Sequence, residues 1–129
     1  MTSKEEKKEA EKLWAKNKYL VLSKSHAYYL KIRDYLKRDD ANREGVERFI
    51  EKAMALDESK KDVINAYQHI WGYFKDEAGE ENKEKFLGLI DDYKNDKIPK
   101  EEVLQFLKQL LEKFPYPYLK NSKIFKENS

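Results

Sequence analysis

Apolar residues recur along this chain at spacings of three and four, the period of a helix, and alternating Val/Ile/Thr runs that would signal strands are missing. Ser3 followed by Glu6 has the spacing of a capping box and predicts a first helix through Leu13, Trp14, Asn17, Leu20 and Val21, ending near Ser23. Ser25 is placed to cap a second helix carrying Tyr28, Tyr29, Ile32, Tyr35 and Leu36, which breaks in the charged segment Lys37 to Asn42. Val46, Phe49, Ile50, Ala53 and Met54 mark a third. Ser59 with Asp62 opens a fourth, for which Gly79 is the expected left-handed terminator. Phe86, Leu87, Ile90 and Tyr93 lie on a fifth, and Pro99 suits the first turn of a sixth, striped by Val103, Leu104, Leu107, Leu110, Leu111 and Phe114. The tail Phe114-Pro115-Tyr116-Pro117-Tyr118-Leu119 must leave the helix, because each proline drives the residue before it toward extended backbone. It is expected to lie as a strap across a groove of the bundle, with residues from about 120 to 129 frayed. The fold class is therefore all-α: one compact domain over residues 1–129, a bundle of about six helices with an extended aromatic and proline-rich strap.

The fourth helix departs from its neighbours. Val63 to Phe74 is the longest stretch without a charged side chain in a sequence that is 40% Asp, Glu, Lys and Arg. Val63, Ile64, Tyr67, Ile70, Trp71 and Phe74 share one face, while Asn65, His69, Gly72 and Asp76 fall opposite, where a surface helix would carry Lys and Glu. That pattern predicts a central helix buried on both faces, and makes its second face the candidate site. There, His69 has Asn65 one turn before it and Tyr73 one turn after, with Gly72 opening room for a flat ligand. The plainer use of the same residues is structural: a hydrogen-bonded core histidine and a glycine that lets helices approach.

Composition narrows the chemistry. The chain has no cysteine, so disulfides, thiolate metal sites and cysteine nucleophiles are excluded. No apolar run reaches the roughly 18 residues a membrane span needs, and Met-Thr-Ser-Lys-Glu-Glu is no signal-peptide core, so a soluble cytoplasmic protein without membrane attachment is expected. His26 and His69 lack the spacing of paired metal ligands, and the four glycines are scattered rather than gathered into a phosphate loop; no metal and no cofactor are expected. Charge is uneven. Residues 1–38 hold eleven Lys or Arg against five acids, residues 39–112 twelve against nineteen, and residues 113–129 four against one. Basic ends could gather phosphates, or could simply complement the acidic middle; the mixing of Lys with Glu favours complementarity.

Asn65-x-x-x-His69-x-x-Gly72-Tyr73-Phe74-Lys75 resembles the signature of the YbgA family of bacterial domains. Trp14 followed by Asn17-Lys18-Tyr19-Leu20-Val21-Leu22, then Tyr29, Ile90-Asp91-Asp92-Tyr93, Ile98-Pro99 and Tyr116-Pro117 agree in order, so the resemblance spans nearly the whole chain. Where that family usually carries a histidine after the first leucine run, this chain has Lys24, with His26 two residues on. The family has no known function, but similar domains occur fused to thiouracil desulfidase-like domains, and a stand-alone member is encoded near a DNA photolyase. The resemblance thus implies a nucleobase, a nucleotide or a nucleic-acid-related enzyme as partner, and adds Lys18 and Tyr29 to the candidate ligand-binding residues Asn65, His69, Gly72 and Tyr73. The reading is a small helical binding or accessory module that recognises a nucleobase, nucleotide or nucleic acid through a pocket on the central helix. The alternatives are a small enzyme using His69 as general acid or base, and a purely structural protein-interaction domain.

Overall fold

A computed structural model describes residues 2–127, in which helices and short connections are found and no strand. Eight helices follow one another: α1 (Ser3–Lys24), α2 (His26–Tyr35), α3 (Arg43–Met54), α4 (Lys60–Trp71), α5 (Lys75–Lys94), α6 (Lys100–Lys113) and two short ones, α7 (Pro117–Lys120) and α8 (Lys123–Glu127). Among the described residues, none of these helices is long and apolar enough to cross a membrane.

Side-chain caps start the helices where the polar punctuation places them. Ser25 Oγ accepts from the Tyr28 N–H at 3.1 Å, Asn42 Oδ1 from Gly45 at 2.8 Å, and Ser59 Oγ from Asp62 at 3.2 Å. The first helix is capped one residue earlier than the Ser3/Glu6 box predicts: Thr2 Oγ1 accepts from Glu5. Both pairs have the i, i+3 spacing, and Thr2 has the extended backbone a cap requires.

The organising element is α1, which packs on α2, α3, α4 and α8. Ala10, Trp14 and Val21 face α2 and α3, joining Ile32, Val46 and Ala53 in a smaller cluster. Tyr19 and Leu22 face the other way into the larger core of α4, α5, α6 and the tail. The intervening Asn17 is buried and donates to the Leu13 carbonyl at 2.9 Å, so its amide needs no distant partner.

Helix α4 buries one stripe, Val63, Ala66, Tyr67, Ile70 and Trp71, with Trp71 stacked on Phe86 at 4.9 Å. Its other face is not buried. Asn65 is half-buried, and Gln68, His69 and Gly72 are exposed, which corrects the expectation of a helix enclosed on both sides. Asn, Gln and His carry no charge but remain soluble, so a charge-free run does not require a second buried face. The helix also ends earlier than expected. Gly72 is its C-cap in right-handed conformation, and a tight turn through Tyr73 and Phe74 leads into α5. Gly79 does adopt a left-handed φ of 83°, but it kinks α5 rather than closing α4.

The tail differs from a strap. Phe114 leaves the helical region and Tyr116 is extended, as the prolines after them demand, but Pro117 occupies the first position of α7, where a missing N–H costs nothing. Leu119, Ile124 and Phe125 are buried in the larger cluster, so residues 120–127 are folded; residues 128 and 129 lie outside the described residues. Seven ion pairs join described side chains, and none carries a lysine of α1 across to the acidic middle of the sequence; the one pair linking residues 1–38 to that middle is Arg38–Asp40, two residues apart. Complementarity between basic ends and acidic middle is therefore not built from direct pairs on α1.

Candidate functional site

The outward face of α4 forms the floor of an open groove of about 760 Å³, walled by the start of α2 and the end of α5. Asn65 and Gln68 stand at i and i+3 on that floor, Lys61 one turn before Asn65, and Ile64 and Ile90 supply apolar surface beneath them. His26 closes one wall, Lys60 and Lys94 stand at the rim, and Asp62 is the one acid of the lining. Lys60 is held in place: it pairs with the Asp96 carboxylate and lies 5.5 Å from the Tyr93 ring centroid. Asp96 owes its position to a left-handed turn, φ 61°, at the end of α5. Lys61 and Lys94 make no ion pair among the described residues, so two lining cations remain for a ligand.

A second assembly lies where α1 meets the α4–α5 turn and the tail. Tyr19 and Tyr73 share a hydrogen bond between their hydroxyls at 3.0 Å, with rings edge to face at 6.2 Å. Tyr118 stands edge-on to Tyr19, and Tyr116 to both Tyr73 and Phe74, while the Tyr116 hydroxyl donates to the Glu77 carboxylate. Burial, reinforced by the bond from Tyr73, pushes the Tyr19 phenol far above its ordinary value. Lys18 sits 5.7 Å from the Tyr19 ring centroid and 6.0 Å from that of Tyr29, which itself packs on Trp14 and lies nearly parallel to His26. This assembly is packed, and it acts as a brace between α1, α2 and the tail.

The six candidates therefore separate. Asn65 lines the groove. Lys18, Tyr29 and Tyr73 belong to the tyrosine brace, with Lys18 and Tyr29 linked to the groove through His26. His69 and Gly72 lie outside both. His69 is exposed and makes no hydrogen bond among the described residues, so it is not the satisfied core histidine expected from the sequence. At Gly72 an added Cβ would meet only backbone of its own helix, the His69 carbonyl oxygen at 3.1 Å and that of Gln68 at 3.7 Å; this glycine makes room neither for a ligand nor for a neighbouring helix. Gln68, Lys60, Lys61, Asp62, Lys94 and His26 also line the groove but were not among the candidates. For Gln68 and Lys61 the signal was present, as positions i+3 and i−4 from Asn65; for Lys94 and His26 it was not, since they arrive from other helices. No group of three or more His, Asp or Glu side chains converges as a metal site among the described residues.

Fold and groove together define a small all-helical domain with a polar, lysine-rimmed cleft on one helix face. The chain belongs to the family described as a protein of unknown function (DUF1722), which matches residues 18–128 and with which the YbgA-like resemblance is consistent. No curated protein matches the chain, and no solved structure matches it.

Proposed function

We propose that the domain is a nucleic-acid-binding accessory module that receives an unpaired nucleotide in the α2–α4–α5 groove. The observation that carries the reading is the presence of two carboxamides, Asn65 and Gln68, in one lining with the apolar Ile64 and Ile90, where Lys60, Lys61 and Lys94 outnumber the one acid, Asp62. A base presents a flat apolar face and an edge of donors and acceptors. Carboxamides offer both kinds of group, and ammonium groups answer the phosphates. The groove is open rather than enclosed, which suits one nucleotide of a longer strand better than a sequestered small molecule. This ligand class is also the one that the YbgA-like resemblance implies.

The enzyme alternative has no observation in its favour: His69 stands outside the groove, and Tyr73 is turned to Tyr19. The test is fluorescence anisotropy with labelled twelve-nucleotide homopolymers of DNA and RNA. Lys61→Glu with Lys94→Glu is expected to weaken binding about tenfold or more and to flatten its salt dependence. Asn65→Ala with Gln68→Ala is expected to change the preference among bases while leaving the salt slope intact. Binding that is undetectable, or equal in all three proteins, would overturn the assignment.

A further inference from the structure

The basic N-terminal helix and the basic tail meet in space, since α1 packs on α8 and the preceding turn, α7, lies against the first half of α1. Where α1, α7 and the start of α3 meet there is a second cleft, of about 300 Å³. Leu13 and Tyr118 give it an apolar lining, and Lys12, Lys16 and Arg43 surround it with Glu9 as the one acid. Tyr118 is 41% exposed, unusual for a tyrosine whose ring also stands edge-on to the buried Tyr19. The brace thus fixes an aromatic ring in place and leaves much of it in water.

The charges around this cleft are open to exchange. Lys12 pairs with Glu9 at 3.5 Å and Arg43 with Glu47 at 3.0 Å, both exposed pairs one helical turn apart, of the weak, solvent-screened kind. Lys16 has no ion-pair partner among the described residues. The cleft is at the small end of ligand-pocket sizes, right for a side chain rather than a whole cofactor. It has one carboxamide, Asn121, already donating to the Pro117 carbonyl, in place of the two that line the α4 groove. We infer that the α1–α7 face docks an acidic segment of a partner protein, one apolar side chain of which enters the cleft against Tyr118 and Leu13 while its carboxylates meet Lys12, Lys16 and Arg43. This surface shares no residue with the α4 groove, so the domain can hold a strand and a partner at once.

The probe is a peptide chosen by the protein itself: selection of a random twelve-residue phage library on the whole chain, then anisotropy with the enriched peptide. Enriched sequences are expected to combine Glu or Asp with Leu, Phe or Trp. Binding is expected to fall about tenfold or more in Lys12→Glu with Lys16→Glu, and likewise in Tyr118→Ala. Both variants should keep the parent's helical circular dichroism and its affinity for the homopolymers, which separates this surface from the proposed nucleotide groove. No enrichment, peptides without acidic character, binding that survives both variants, or displacement of the peptide by oligo-dT would each overturn the assignment; the last would make this face a nucleic-acid surface instead.

Discussion

Replacing Gly45 with alanine sets two effects of opposite sign against each other. Gly45 lies in the first turn of α3, where alanine favours the helix by up to about 1 kcal/mol. An ideal Cβ there would stand 2.0 Å from the Tyr35 hydroxyl oxygen, 2.4 Å from Cζ and 2.8 Å from Cε2. Tyr35 cannot swing away freely. Its hydroxyl accepts from the Asn42 N–H at 3.0 Å and donates to Asn42 Oδ1 at 3.4 Å, the same oxygen that caps α3 at Gly45, and its ring packs on Phe49 at 5.6 Å. Displacing the ring costs roughly 0.5–1.5 kcal/mol for each of these two hydrogen bonds, the longer at the low end, and about 1–3 kcal/mol for forced repacking. Destabilisation wins by about 1–5 kcal/mol, with a fall of roughly 3–5 °C in melting temperature for each kcal/mol in a domain of this size. Thermal and urea melts followed by circular dichroism measure it. Tyr35→Phe in the Gly45→Ala background should not rescue, because Cζ remains in the way, whereas Tyr35→Leu should leave little further cost from the alanine. A Gly45→Ala protein as stable as the parent, or more so, would refute this account of the α2–α3 corner.

Two further outcomes follow from the site. Burial raises the phenols of Tyr19 and Tyr67 well above the ordinary value of 10.0, so spectrophotometric titration at alkaline pH should show two of the nine tyrosines ionising only as the protein unfolds. The folded state then holds protons the unfolded chain releases, so their contribution is fully present below pH 10 and stability falls as pH rises above it; Tyr19→Phe should lessen the fall. His69→Ala should change stability by no more than about 0.5 kcal/mol, within the range of exposed positions, and a large drop in its melting temperature would show a packing role that the exposed ring does not suggest.

Local chemistry made most of the helices readable, because caps and periodicity are written in neighbouring residues. Ser25 and Ser59 cap α2 and α4 as their spacing predicts, and the Lys37–Asn42 break is where the polar run places it. The misreadings have separate physical causes. Pro117 limits Tyr116 to extended backbone and yet begins a helical turn, so the proline rule, applied to the whole segment, overextends the strap. The uncharged face of α4 invites a reading of burial, and Asn65, Gln68 and His69 show why it fails: neutrality is not hydrophobicity. The groove was half legible. Asn65 was identified, and Lys61 and Gln68 lie at helical spacing from it, but His26 and Lys94 reach it through tertiary packing that no periodicity encodes. The tyrosine brace was harder still, since Tyr19 and Tyr73 are 54 positions apart and nothing local links them.

The contact of α1 with α8 bears on how the chain is made. On the ribosome α1 emerges first and α8 last, while the larger core needs Tyr19 and Leu22 from one end and Ile124 and Phe125 from the other. The first helix can meet α2 and α3 early, through Ala10, Trp14 and Val21, and so complete the smaller cluster while synthesis continues. Its second face meets α4 next and α8 only about a hundred residues after α1, so the larger core is complete only once α8 has been made, and loss of these final turns would strip part of the cover from Tyr19 and Leu22.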